Sequence, residues 1–221
     1  MPDAQFSSPD SPPAEEPTAP ARKRPKPGER RVQILQALAT MLEQPGAERI
    51  TTAALAARLD VSEAALYRHF ASKAQMFEGL IEFIEQSVFT LVNQITEREP
   101  GAHESPADAG VRQSAKIVAM LLQFAEKNPG MTRVMVGDAL VFENDRLQQR
   151  MNQFFDKIES TLKQSLRSAS DGDGAATPSV DAQVRASMLT AFVVGRLQRF
   201  ARSGFKRAPS EHLDASLARM L

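Results

Sequence analysis

The sequence predicts an all-α protein, because nearly every segment from Glu29 onward repeats its apolar residues at helical spacing. The alternation of β-branched and polar residues that is typical of strands does not occur. With 221 residues, 42% of them hydrophobic and 24% charged, the chain can bury a sizeable core. We expect a small three-helix unit at residues 29–75, followed by a larger helical domain at residues 76–221.

The segment before these helices is predicted to be disordered. Residues 1–28 hold eight of the 14 prolines, and such a segment buries too little apolar surface to offset the entropy lost on ordering. It ends in a basic cluster at residues 22–26. That cluster suits either a solvated linker or an arm that lies along DNA.

The formal net charge of zero conceals a polarised chain. Residues 1–21 carry four acidic side chains, whereas residues 22–75 carry ten Lys and Arg against five Asp and Glu, a net of +5. Basic charge concentrated in one segment predicts contacts with the phosphates of a nucleic acid.

Composition also argues against several classes of protein. The chain has no cysteine, which excludes disulfides, thiolate zinc sites and cysteine catalysis. A Ser/His/Asp set, metal-ligand spacing and a glycine-rich phosphate loop are not found, so we expect no enzyme, no metal and no cofactor. No apolar run approaches the ~18 residues that span a bilayer, and the N-terminus is unlike a secretory signal. A cytoplasmic protein is therefore expected.

Breaking and capping residues delimit the predicted helices. The first helix extends from Glu29 to Glu43, before Pro45 and Gly46. Residues 168–179, rich in Gly, Asp and Ser, are predicted to form a loop. The other predicted helices are Ala53–Leu59, Glu63–Phe70, a long helix from Ser72, one that follows Pro106 and ends near Lys127, Met131–Val136, Asn144–Arg167, Val180–Ser203 and a short helix after Pro209.

Residues 50–77 have the pattern of a helix-turn-helix. A short alanine-rich helix leads through the turn at residues 60–62 into a second short helix, for which Ser62 is a suitable N-cap. Ser72 and Gln75 then form a capping-box pattern at the start of the long helix. A compact three-helix unit with a polar face would explain the same pattern without DNA binding.

The outward face of the second short helix is predicted to enter the major groove of DNA. Arg68 suits guanine edges or a phosphate, and Tyr67 suits a phosphate or a thymine methyl group. Threonines and a lysine at helix N-termini suit phosphates. The predicted DNA-binding residues are Arg31, Thr51, Thr52, Ser62, Glu63, Ala64, Tyr67, Arg68, His69 and Lys73.

This unit resembles the DNA-binding domain of the TetR family. The residues that match the family signature are Thr52, Leu55, Ala56, Val61, Ser62, Leu66, Tyr67, His69, Phe70, Ser72 and Lys73. The resemblance implies a TetR-like fold and a homodimer on palindromic double-stranded DNA. Because most members bind a small effector with the C-terminal domain, a ligand-responsive repressor is one expectation.

From about Arg31 to the C-terminus, apart from residues 168–179, the chain resembles the nucleoid occlusion factors within the TetR family, notably in the run EKNPGMTRVMVGDALVFENDRLQQRMNQFFDKIE. That resemblance implies a nucleoid-associated protein that, when bound to DNA, inhibits polymerisation of FtsZ, with no small-molecule effector. It also places the FtsZ-binding surface around the long helix after Lys73, where we expect Phe83, Gln86 and Phe89. Packing of an aromatic residue on an adjacent helix is the alternative.

A dimer interface is predicted on the last long helix. Apolar side chains between Met188 and Leu197 point more than halfway round that helix, so a single buried stripe does not account for them. The predicted interface residues are Val193, Val194, Gly195 and Leu197. A central core helix of a monomer is the alternative.

Overall fold

The computed structural model describes residues 28–44, 50–172 and 177–221. Within these ranges every regular element is helical, which confirms the predicted all-α class. Residues 1–27 of the predicted tail at residues 1–28, and the break at Pro45 and Gly46, lie outside them. The helices are α1 (Glu29–Leu42), α2 (Thr52–Arg58), α3 (Glu63–Tyr67), α4 (Lys73–Thr96), α5 (Pro106–Lys127), α6 (Pro129–Met135), α7 (Asp145–Gly172), α8 (Pro178–Arg202) and α9 (Leu213–Met220), with a 3-10 turn at Asp138–Leu140.

One apolar core joins the N-terminal helices to the rest of the protein. The helices α7 and α8 pack along each other, α5 packs against both, and α4 lies against α5 and α7. The short helix α6 contacts α1, α4, α5 and α8, and so bridges the N-terminal helices and the body. The predicted boundary at residue 75 falls inside the first turn of α4, which both parts share.

Two predicted boundaries differ from the structure. Helix α3 ends at Tyr67 rather than Phe70, since the chain turns there and buries Phe70. Helix α7 continues to Gly172, and α8 begins at Pro178, so most of the predicted loop at residues 168–179 is helical. Burial of the Ser170 side chain, whose hydroxyl donates to Asp181 over 2.7 Å, extends α7 beyond the predicted end.

Among the helices of the described ranges, none has an apolar stretch long enough to cross a membrane.

Candidate nucleic-acid interface

Three hydroxyl caps set the directions of the helices around the turn. The side chains of Thr51, Ser62 and Ser72 accept hydrogen bonds from backbone N–H groups in the first turns of α2, α3 and α4. The Gln75 side chain accepts a hydrogen bond from the Ala71 N–H over 2.9 Å. The predicted capping box therefore forms, but its return bond goes to the residue before the Ser72 cap. A hydroxyl that accepts in this way can still donate its own proton. Thr51 and Ser62, both exposed, could therefore also donate to phosphates.

The face of α3 that points to solvent is the face that the sequence predicts to be free for DNA. Leu66 and Phe70 are 1% exposed and fix the helix on the core. The five residues predicted to face DNA are all exposed, namely Glu63, Ala64, Tyr67, Arg68 and His69. The helix-turn-helix thus presents a surface of mixed polarity that internal packing does not use.

A chain of hydrogen bonds crosses from α2 to α3 on this surface. The Thr52 hydroxyl lies 2.6 Å from Oε2 of Glu63, and the Tyr67 hydroxyl lies 3.4 Å from the Thr52 oxygen. These bonds connect the first residue of α2 to both ends of α3. The three predicted DNA-binding side chains are therefore held relative to one another before any DNA arrives.

Arg31 holds the end of α3 against α1. The Arg31 guanidinium donates to the backbone carbonyl of His69 over 3.0 Å and stacks 4.2 Å above the ring of Phe70. A cation over an aromatic face is attracted by the ring quadrupole. Arg31 is thus a positioning residue in this structure, a role that the sequence did not indicate.

Lys73, at the first residue of α4, forms an ion pair with the body. Its ammonium lies 2.5 Å from Glu143, on the segment between the 3-10 turn and α7, and the Glu143 side chain is only 9% exposed. The same ammonium is a predicted phosphate ligand, so the phosphate and Glu143 would share one cation. Among the described residues no cluster of His, Asp and Glu could hold a metal ion.

Two family models match the chain, and together they span most of it. The model described as "Bacterial regulatory proteins, tetR family" matches residues 34–80. The model described as "Tetracyclin repressor-like, C-terminal domain", of SlmA-like type, matches residues 109–220. The nucleoid occlusion factor SlmA of Photobacterium profundum is 51% identical over 186 residues, which cover 84% of this chain and 90% of the relative.

The chain belongs to the SlmA family of nucleoid occlusion factors.

Other relatives agree with this assignment. The SlmA protein of Vibrio cholerae is 50% identical over 84% of this chain and 90% of its own length. Among solved structures, the fatty acid degradation regulator FadR of Bacillus halodurans superposes with a TM-score of 0.69 at 12% identity. The superposition covers 90% of this chain and 97% of FadR. At that identity the likeness shows a shared fold and nothing further.

In this SlmA-family chain, the two phenylalanines predicted to bind a partner on α4 have different surroundings. Phe83 is 39% exposed, and Leu91 on the same helix is 38% exposed. Phe89 is half-buried, and its ring packs edge-to-face on Phe154 of α7 with centroids 5.6 Å apart. The Phe89 ring is therefore used for packing on an adjacent helix. Gln86 is exposed and donates to Glu82 over 3.5 Å.

The predicted dimer interface needs correction. Val193 and Leu197 are 1% and 0% exposed, because they face α7 and the core of their own protomer. No atom of the described residues lies within 4 Å of where a Cβ of Gly195 would be, and Val194 lines a surface cleft of about 530 Å³ beside α7.

The exposed apolar face of α8 lies elsewhere on the same helix. Val180, Val184 and Met188 are 59%, 51% and 52% exposed. Their spacing of four residues was visible in the sequence, but it does not reveal which face of the helix α7 covers.

A bidentate ion pair, which no pattern in the sequence indicates, holds the connection between α4 and α5. Arg112 donates to both oxygens of Glu104, over 2.5 and 2.9 Å, and the Gly101 N–H donates to the same carboxylate over 3.0 Å. The hydrogen bond from Arg112, followed by that from Gly101, lowers the pKa of Glu104 from 4.5 to about 2. The carboxylate raises the pKa of Arg112 in turn.

Proposed function

We propose that this protein is a sequence-specific DNA-binding nucleoid occlusion factor that inhibits FtsZ polymerisation, and so septum formation, when it is bound to the chromosome. About 50% identity over at least 90% of the length of curated SlmA proteins is the observation that carries the proposal. Its site of action is the nucleoid in the cytoplasm, and it acts by binding rather than by catalysis.

The DNA-binding part of the proposal is supported by the surface of α2 and α3. The polar residues of α3 are exposed, Thr52 of α2 is hydrogen-bonded to Glu63 and Tyr67, and both helices lie in the segment of net charge +5. Lys73 and the hydroxyls of Thr51 and Ser62 stand at helix N-termini, where phosphates bind well. In a homodimer, two copies of α3 would enter successive major grooves roughly 34–36 Å apart.

The exposed stripe of α8 supports a homodimer. Three large apolar side chains, spaced one helical turn apart, are each more than half exposed. A contiguous apolar patch of this kind marks an interaction surface. A second copy of the same stripe covers it symmetrically, because a two-fold axis brings identical surfaces together.

The exposed face of α4 supports a protein partner. Phe83 and Leu91 lie two turns apart on α4, and both expose more than a third of their surface. Exposed aromatic anchors are typical of binding hot spots. We propose that Phe83 and Gln86 contact FtsZ, whereas Phe89 supports the helix from inside.

Light scattering of FtsZ with GTP tests the proposal directly. The protein is added with and without a DNA duplex that it has selected from a random pool. Loss of FtsZ polymer only in the presence of the selected DNA is the expected result. If the protein selects DNA but leaves FtsZ polymer unchanged, a ligand-responsive TetR-type repressor becomes the better explanation.

Substitution of exposed phenylalanines locates the partner surface. Phe83→Ala should abolish the inhibition of FtsZ while DNA binding stays at the wild-type level. Phe142, which is 63% exposed and lies outside α4, provides the matched control. Equal inhibition by the Phe83→Ala and wild-type proteins would remove Phe83 from the partner surface.

Sedimentation equilibrium tests the dimer. Val184→Glu places a charge within the α8 stripe and should yield a monomer with weakened binding to the palindrome. Val141→Glu, at a valine that is 63% exposed and lies off α8, should leave the dimer intact. A dimeric Val184→Glu protein would exclude this stripe as the interface.

A further inference from the structure

The hydrogen bonds between α2 and α3 have a fixed direction. A carboxylate only accepts, so the Thr52 hydroxyl, 2.6 Å from Oε2 of Glu63, must be the donor. Its single proton is then used, and the Thr52 oxygen accepts from the Tyr67 hydroxyl. The protons of both hydroxyls therefore point along the chain towards Glu63, and neither points outward.

Glu63 terminates this chain and offers a further acceptor. Its Oε2 is held by Thr52, and no described residue donates to the second oxygen, Oε1. The side chain is exposed at the first residue of α3, on the face that DNA would approach. Its orientation is therefore fixed, while one oxygen stays available to a ligand.

A carboxylate on a DNA-facing surface is repelled by the phosphates, so it weakens binding unless a base donates to it. In the major groove the only base donors are the exocyclic amino groups of cytosine and adenine. Beside the adenine amino group lies N7, an acceptor that repels a carboxylate, whereas cytosine has no acceptor at that edge. The chemistry of Glu63 thus matches cytosine.

We infer that Glu63 reads the amino group of one cytosine in each DNA half-site, with Thr52 and Tyr67 as positioning residues. The inference rests on the proposed binding of DNA through α3. It gives the two hydroxyl side chains a different task from the phosphate contacts that the sequence predicts. Thr51, and not Thr52, caps α2, so Thr52 is free for this task without loss of the cap.

The test measures binding to the selected duplex and to its single-base variants. Wild-type protein should prefer one C·G pair per half-site by about tenfold or more over the other pairs at that position. The near-isosteric variant Glu63→Gln should lose this preference and keep the preferences at all other positions. Thr52→Val should reduce the same preference, because it frees the carboxylate. Glu97→Gln, at the far end of α4, controls for the change in net charge and should behave as wild type.

Two results would overturn the inference. An unchanged base preference in Glu63→Gln, with affinity raised equally for all duplexes, would mean that the carboxylate only repels phosphates. A loss of base preference in Glu63→Gln that is spread evenly over all positions would mean that Glu63 only stabilises the structure of the DNA-binding surface. If the wild-type protein selected no sequence, the proposed function itself would fail, which is distinguishable from both.

Discussion

The helix-turn-helix unit and the body of the protein are stabilised in different ways. In the unit, short helices are fixed by hydroxyl caps and by the Arg31 guanidinium, over a small set of large buried side chains. In the body, long helices bury continuous apolar faces, above all between α7 and α8. Substitutions in the unit should therefore act mainly on where functional side chains point and less on stability, whereas substitutions in the body should act mainly on stability.

Two glycines allow this contrast to be tested with the same chemical change. A Cβ added to Gly110 would lie 2.0 Å from the Ser165 carbonyl oxygen, where α5 crosses α7 inside the body. A Cβ added to Gly130 would lie 1.9 Å from the Ala39 carbonyl oxygen, where α6 meets α1. In both cases the obstacle is backbone, which cannot rotate away as a side chain does.

The largest effect is expected for Gly110→Ala. Two long helices must separate to admit the methyl group, so the free energy of unfolding should fall by about 3 kcal/mol, the upper end for overpacked interiors. Urea unfolding followed by circular dichroism measures it. Gly101→Ala is the control, since among the described residues its Cβ would meet only the Glu104 side chain, at an ordinary 3.7 Å. Equal stability of the Gly110→Ala and wild-type proteins would show that α5 and α7 can move apart at Gly110 without loss of stability.

Gly130→Ala should have a smaller effect on stability and a larger one on DNA binding. The short helix α6 can shift with less loss of buried surface, so we expect a decrease of about 2 kcal/mol in unfolding free energy. Because α6 then displaces α1, whose Arg31 holds the end of α3, affinity for the selected duplex should fall several-fold. Fluorescence anisotropy measures that affinity. Gly110→Ala protein that still folds should bind the duplex with wild-type affinity. An equal loss of affinity in Gly110→Ala would show that the two glycines do not differ in their effect on DNA binding.

Arg31→Met should lower the stability of the protein by about 1–2 kcal/mol even without DNA. The substitution removes a hydrogen bond to the His69 carbonyl and the contact with the Phe70 ring, on a largely exposed side chain. Arg30→Met is the control, since within the described part of the chain Arg30 donates only to the nearby Gln33. Thermal unfolding of the DNA-free proteins measures this difference in stability. If only DNA affinity changed, Arg31 would be a phosphate ligand and not a positioning residue.

The smallest effect concerns acid stability. The pKa of Glu104 is lowered from 4.5 to about 2, so the stabilisation from its pair with Arg112 is complete above pH 4.5 and is lost as the pH falls towards 2. An NMR titration of the Glu104 carboxyl carbon should show this low midpoint. In Arg112→Met the midpoint should move back towards 4.5. A wild-type midpoint near 4.5 would mean that the pair does not persist in solution.

Local chemistry made much of this structure predictable. Hydroxyl caps at Ser62 and Ser72 act within three residues, and the apolar pair Leu66 and Phe70 is enough to orient α3. The side chains that face DNA could therefore be named from the sequence. Their mutual hydrogen bonds could not, since they depend on the angle at which α2 meets α3.

Contacts between distant residues account for the errors. Arg31 and His69 are 38 positions apart, and nothing near either residue indicates their contact. Likewise the side of α8 that faces α7 depends on how two long helices rotate about each other, so Val193 was assigned to the wrong surface. The pairing of Ser170 with Asp181 extends α7 through a stretch whose composition is typical of a loop.

Helix α4 begins beside the predicted phosphate ligands and continues without a break for 24 residues. At a rise of 1.5 Å per residue it is a rod of about 36 Å, with Phe83 about 15 Å along it. A rigid rod of that length converts a rotation of about 5° at one end into a displacement of about 3 Å at the other. The ion pair between Lys73 and Glu143 ties the first residue of this rod to the segment before α7, so a phosphate bound to Lys73 would compete with a contact that fixes this end of the rod.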